Sequence, residues 1–243
     1  VKWIDQGGAS DDLKYIKSAF SKSPDGIKID LFFGGGIDPY IDLAAKNLLQ
    51  PASPPEAILK KIPARLNGVP LYDEKGLWHG NSLSGFGIIY NKAMAAQLGL
   101  PEVRTWTDLA DPGLFGYVEV ADPVHSSSAH MLFEIILQRY GWEKGWSLIA
   151  AIAANSRALP EHSTQVPQDV TAGQVAYGLL IDTFAYSAVE QAGADKLGFA
   201  MPEDATVVTP DSIAILKGAP NPEAANEFVA FTLSPEGQKL WML

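Results

Sequence analysis

The chain has 243 residues, 47% of them hydrophobic, so it can bury a real core, and at roughly 100 to 200 residues per domain it reads as one large or two modest domains. Acidic residues outnumber basic ones by 28 to 18, giving a net charge of −10, and with no long Lys/Arg run to track a phosphate backbone, nucleic-acid binding is set aside. Cysteine is absent, which removes disulfides, thiolate nucleophiles and Cys-ligated zinc and suits a cytosolic or a periplasmic compartment equally. No run approaches 18 uninterrupted apolar residues, and Val1 is neither a start methionine nor the head of a signal sequence, so the chain is read as processed or trimmed.

In chain order, Ile27 to Phe33 is a short β-prone run, Gly34-Gly35-Gly36 breaks it, and Tyr40 to Leu49 resumes at helical spacing. A proline-rich connector follows, with Pro51, Pro54, Pro55, Pro63 and Pro70, then a strand from Ser84 to Tyr90. Trp106-Thr107-Asp108-Leu109 reads as an N-capped turn and Tyr117 to Val120 as a short strand. The spacing of Leu132, Ile135, Ile136 and Arg139 predicts a helix over 129–140, stopped by Gly141. Further helices are expected over 142–154 and 168–172, and strands over 175–181 and 207–216. Asn221-Pro222-Glu223 and Ser234-Pro235-Glu236 each place a cap before a proline at the first helical position. Strand, glycine turn and helix in succession make this an α/β chain. It leaves one α/β region near residue 88 and returns near residue 210, which predicts two lobes joined by two crossing strands, with a ligand held in the cleft between them.

The segment with most chemistry in it is Asp122-Pro123-Val124-His125-Ser126-Ser127-Ser128. If Ser126 caps the helix that follows, three hydroxyls and the unpaired N–H groups of its first turn converge where the helix dipole favours an anion. The bland alternative is a plain cap with the other serines in water. Asp182 follows the strand ending at Ile181. It is either an N-cap for a helix over 185–191 or a carboxylate for a cationic or donor-rich part of a ligand, and the two roles are compatible. His125, His130 and His162 with Asp182 raise a metal site, but His125 and His130 are five apart and share no helix face as an i, i+4 pair would. A hydrolase is disfavoured because no Ser sits in a G-x-S-x-G elbow. Tyr72, Trp78 and Phe184 are either ligand-facing aromatics or plain core.

The order of motifs resembles the extracellular solute-binding proteins of ABC importers, in the type II periplasmic binding fold of the ferric-ion, phosphonate and thiamine group. The matching residues are Asp30-Leu31-Phe32-Phe33-Gly34-Gly35-Gly36, Gly87-Ile88-Ile89-Tyr90-Asn91-Lys92, Thr105-Trp106-Thr107-Asp108-Leu109, Asp122-Pro123 with its serines, Asp169-Val170 with Gly173, and Ser212-Ile213-Ala214-Ile215 through Phe228. The resemblance implies two α/β lobes, 1–87 with 209–243 and 88–208, hinged near Gly85 to Tyr90 and Thr206 to Ile215. It implies a periplasmic or extracellular binding protein with no catalysis and no cofactor, a monomer that delivers a small polar, anionic or zwitterionic ligand to a membrane permease. The ligand-binding set is then Gly34, Gly35, Gly36, Ser82, Ser84, Ser126, Ser127, Ser128, Ser163, Thr164, Asp182, Thr183 and Phe184.

The resemblance also carries departures. In ferric-binding members a glutamate lies in the loop after the strand ending at Phe33 and a Tyr-Tyr pair follows the strand ending at Ile181. Here those places fall on Gly35 and on Thr183 and Phe184, which offer no anionic oxygen to a hard trivalent ion. A metal carrier with other ligands stays as the alternative within the fold. The serines at 126–128 fall where those proteins hold an anion at a helix start, with Ser163 and Thr164 at a second anchoring turn. Finally, Val1-Lys2-Trp3-Ile4 matches the second strand of the first lobe and Ile27 to Phe33 the third. The sequence therefore predicts a gap in that sheet, filled in the natural protein by about 30 preceding residues.

Overall fold

The structure, a computed structural model, describes residues 2–4 and 8–242. These group into two compact units, 1–83 with 208–243 and 84–207, so the chain passes between them twice.

In the first unit, α1 (Ala9–Lys22) buries Ile16 and Phe20 four residues apart and turns its charged residues outward. β1 (Leu31–Phe33) leads through Gly34 and Gly35, both at positive φ, into α2 (Ile37–Ala45). β2 (Leu49–Gln50) and the single-turn α3 (Glu56–Leu59) follow. β3 (Arg65–Leu66) and β4 (Val69–Pro70) form a hairpin whose turn is Asn67-Gly68, both at positive φ, as a tight two-residue turn requires. The long β5 (His79–Asn91) begins here and runs into the second unit.

In the second unit come α4 (Lys92–Leu98), capped by the Asn91 side chain on the Met94 N–H, then β6 (Val118–Glu119), α5 (Ser127–Tyr140) and α6 (Trp142–Asn155). α7 (Gln165–Thr171), β7 (Tyr177–Ile181), α8 (Asp182–Ala192) and β8 (Leu197–Ala200) complete it. β7 lies between antiparallel β5 and parallel β6, and β8 pairs antiparallel with β5. Side chains alternate across this sheet. Val118 and Val120 join the core beneath α5 and α6, and Ala121 joins a second apolar cluster with Val166 and Val170 of α7.

The chain then re-enters the first unit as β9 (Val208–Leu216), α9 (Pro222–Thr232) and α10 (Pro235–Lys239). β9 pairs antiparallel with both β1 and β2, and α2 and α9 cover opposite faces of the strand: Ala214 packs with Phe32 and Tyr40, Ile213 with Val229.

Several boundaries differ from the sequence reading. The expected strand at the start is not formed: Lys2, Trp3 and Ile4 are exposed and belong to no strand, and Val1 lies outside the described residues. Trp3 instead sets its ring 5.8 Å from Phe33 and 6.5 Å from Phe228, a side-chain contact in place of a ladder. The strand expected over 27–33 shrinks to 31–33, with Lys28 at positive φ interrupting it. The helix expected over 40–49 begins three residues earlier at Ile37, and Asn47, at positive φ, ends it before Leu49.

Candidate functional site

The second unit gathers its chemistry at the carboxyl ends of β6 and β7, the end of a parallel pair where α/β proteins bind ligands. α5 follows β6 through a short loop, and α8 begins directly after β7. β5 runs antiparallel, so its Ser84-Gly85 segment lies at the same end. Three helices also meet in one apolar cluster through their first turns: Ala129 of α5, Val166 of α7 and Ala185 of α8 pack with Ala121 and Leu180. The helix starts are therefore held together by core packing, not by loops alone.

The loop before α5 is tied at both ends. The Asp122 carboxylate accepts the Val124 N–H at 2.8 Å, its carbonyl accepts the Ser126 N–H at 3.0 Å, and its own N–H reaches the Pro160 carbonyl at 2.8 Å. Ser126 is the N-cap: its hydroxyl accepts the Ala129 N–H at 3.2 Å and lies 3.0 Å from the Ser128 hydroxyl. The N–H groups of Ser127 and Ser128 belong to the first turn and have no intrahelical acceptor. Ser126 is buried and Ser127 and Ser128 are half-buried, so two hydroxyls and two donors stay within reach of a ligand at the positive end of a fourteen-residue helix.

Asp182 supplies the opposite charge. It is the first residue of α8 and not its cap; Ile181 holds the capping position in extended conformation, which corrects the helix start expected at residue 185. One carboxylate oxygen accepts the Gly85 N–H at 2.7 Å, and the other is buried without a hydrogen-bond partner. Burial pushes the Asp182 pKa up, against the pull of the Gly85 and Thr183 N–H groups. An unpartnered carboxylate oxygen in such a place is an acceptor waiting for a donor. Thr183 is half-buried and Phe184 is 39% exposed. Ser84 is buried, Ser163 half-buried and Thr164 exposed in the turn before α7, where Thr164 makes no side-chain cap.

In the first unit, Gly34-Gly35-Gly36 pairs with β9 beyond the end of β1. The Gly34 N–H donates to the Ser212 carbonyl at 2.8 Å and the Ser212 N–H to the Gly35 carbonyl at 3.0 Å. The Tyr40 hydroxyl lies 2.8 Å from the Gly34 carbonyl and 2.5 Å from that of Ser212, pinning the loop. Gly36 caps α2 with no side chain, and a Cβ at Gly34 or Gly36 would meet nothing within 4 Å. Ser82 is half-buried with a hydroxyl that has no partner. Trp78 is core at 3% exposure, and Tyr72 sets its ring 6.3 Å from that of His79. The histidines considered for a metal do not cluster: His130 faces Glu134 on its own helix at 3.9 Å, and among the described residues no group of three or more His, Asp or Glu is placed to hold an ion.

Glu119 on β6, which is buried, escaped the sequence reading, and Asp169 on α7, also buried, entered it only through the resemblance. The available signal was an acid between Val118 and Val120, where strand alternation gives each face of a covered sheet an apolar side chain.

The second α/β unit thus collects a hydroxyl-capped helix start and a half-buried carboxylate at the carboxyl ends of its strands. Residues 28–242 match the family model described as bacterial extracellular solute-binding protein, and the chain belongs to that family. It is 30% identical over 160 residues to the phosphoglycerate transport regulatory protein PgtC of Salmonella typhimurium, an alignment covering 65% of this chain and 39% of that protein. The chain thus spans about two fifths of the length of that curated relative. Among solved structures it is similar to the periplasmic binding protein AfuA from Actinobacillus pleuropneumoniae with fructose 6-phosphate bound, at TM-score 0.84 and 25% identity over 96% of this chain and 70% of that one. It shares its fold with iron-bound HitA from Pseudomonas aeruginosa, at TM-score 0.76 and 21% identity over 95% of this chain and 72% of that one. The type II periplasmic binding fold and the solute-binding family expected from the motifs are therefore those of this protein, and the family is one of transport proteins, not enzymes.

Proposed function

We propose that this chain is the ligand-capturing part of a periplasmic, monomeric binding protein serving an ABC permease, and that its ligand is a small phosphate-bearing anion. The observation that carries this reading is the start of α5, where the Ser126 and Ser128 hydroxyls and the first-turn N–H groups share one point. Such charge-assisted bonds contribute about 1.5 to 3 kcal/mol each to holding an anion. That PgtC is a phosphoglycerate transport regulatory protein and that AfuA has been solved with fructose 6-phosphate bound support a phosphate over a plain carboxylate. Asp182, with its unpartnered oxygen, suits the hydroxyl or amine groups at the other end of such a ligand. Ser84, Ser163, Thr164, Thr183 and Phe184 complete the proposed surround in this unit, and Gly34, Gly35, Gly36 and Ser82 are the proposed contributors from the first.

The test is thermal shift and calorimetry against fructose 6-phosphate, phosphoglycerate, phosphonates, amino acids and ferric ion, since a ligand that binds the native state alone raises the melting temperature. Fructose 6-phosphate is expected to bind. Replacing Ser126, Ser127 and Ser128 together by Ala is expected to weaken it at least about tenfold while the protein stays folded. Unchanged affinity returns the serines to capping alone. Ferric titration is expected to give no tyrosinate charge-transfer band, because Gly35, Thr183 and Phe184 stand where ferric carriers place their ligands; such a band would replace this reading with the metal-carrier alternative.

A further inference from the structure

Glu119 is an acid with no solvent exposure, and neither of its carboxyl oxygens has a hydrogen-bond partner. It sits opposite Gly178 in the parallel pairing of β6 with β7, between Val118 and Val120, whose side chains enter the core under α5 and α6. Alternation turns Glu119 to the other face, where Val166 and Val170 of α7 pack. From α7 comes Asp169, 8% exposed, whose carboxylate accepts the Gln165 amide at 2.8 Å. From the segment after α6 comes Arg157, fixed beside the strand by its N–H on the Val118 carbonyl and 3.9 Å from Asp169 through its guanidinium. β7 offers Gly178, which has no side chain. The charged residues of α6, Glu143 and Lys144, are exposed in its first turn, and its last residue, Asn155, donates its amide to the Leu109 and Asp111 carbonyls.

α7 is also seated without slack. A Cβ at Gly178 would lie 2.5 Å from Val166 and 3.1 Å from Val170, so the helix rests directly on the strand backbone, and repulsion between two carboxylates can be relieved only by lifting it away. We propose that Glu119 and Asp169 form a pH-sensitive latch that seats α7 while one of the two carboxyls keeps its proton and loosens it when both are ionised. Burial first, and then the Asp169 charge, push Glu119 up to about 7, with Arg157 pulling the other way. In the unfolded chain a glutamate ionises near 4.5, so the folded unit holds an extra proton between there and about 7. Stability from this pair is complete below that window and is lost as pH rises through it. α7 begins directly after Ser163 and Thr164, so resting on the functional reading above, acid would favour the ligand-competent arrangement.

The experiment uses no ligand, so its outcome is independent of that reading. Amide hydrogen exchange of residues 165–171 in the unliganded chain is followed from about pH 5.5 to about pH 8.5 and corrected for intrinsic exchange, for wild type, Glu119→Gln and Asp169→Asn. In wild type, protection of α7 is expected to fall at least about tenfold more than that of α5 across this range; in Glu119→Gln the difference is expected to vanish, and in Asp169→Asn, where Glu119 stays buried but loses its charged neighbour, it is expected to shrink. Equal pH dependence in wild type and Glu119→Gln overturns the latch, as does a loss of protection shared evenly with α5. If Glu119→Gln fails to fold, Asp169→Asn alone decides: retention of the wild-type pH dependence in it overturns the proposal.

Discussion

Two helix starts, one in each unit, follow a strand end and are built from opposite chemistry. α5 opens on Ser126-Ser127-Ser128 with a hydroxyl already on the Ala129 N–H, and α8 beside it opens on a carboxylate. α2 opens on Gly34-Gly35-Gly36, which supplies backbone donors and open space. The difference teaches that the second unit places hydroxyls and a carboxylate at its helix starts, while the first places only backbone there, which suits the proposed division of labour between charge recognition and open surface. α7 sharpens the contrast, because it lies hard on Gly178 where α2's cap lies open.

Four substitutions probe this contrast. The largest effect on stability is expected from Gly178→Ala, whose new methyl would lie 2.5 Å from Val166 and 3.0 Å from Ile89. Overpacking of this kind costs about 1 to 3 kcal/mol, read from urea unfolding, and a neutral result would mean that α7 is not tightly seated. Next comes Asp182→Asn, expected to weaken fructose 6-phosphate at least about tenfold by calorimetry. The same change should stabilise the unliganded protein at neutral relative to acid pH, because a buried acid with a raised pKa loses stability as pH rises from its unfolded value through the raised folded one, and the amide does not. Ser126→Ala alone is expected to cost about 1 kcal/mol of stability through the lost cap. The smallest effect is the mirror experiment in the first unit. Gly36→Ser has φ −66° and room for a side chain, so it should gain a few tenths of a kcal/mol by adding the hydroxyl cap that α2 lacks.

What the sequence disclosed follows the same physics. The start of α5 was legible because a capping serine, an apolar period and a terminal glycine all agree with the fold. α1 was not read, although Ala9, Leu13, Ile16 and Phe20 recur at helical spacing on the face that meets the core; the charged residues between them hid a periodicity that is present. β8 was missed because it is four residues long and carries Gly198, which is required by the Tyr90 ring that would lie 2.4 Å from any Cβ there. Asp182 was recognised as important but placed outside its helix; a residue whose carboxylate is claimed by Gly85, 97 positions away, cannot be assigned from local capping rules. The Glu119 and Asp169 pair needed the register of β6 and the seating of α7, and neither is written in local sequence.

In the proposed function, the hydroxyl-rich start of α5 holds the anionic group of the ligand. The most direct measurement is a crystal structure of this chain with fructose 6-phosphate. The phosphate oxygens are expected in hydrogen-bond contact with the Ser126–Ser128 hydroxyls and the first-turn N–H groups of α5, with a sugar hydroxyl on the free oxygen of Asp182. A phosphate bound away from α5, with these serines touching only one another and their own helix, would contradict it.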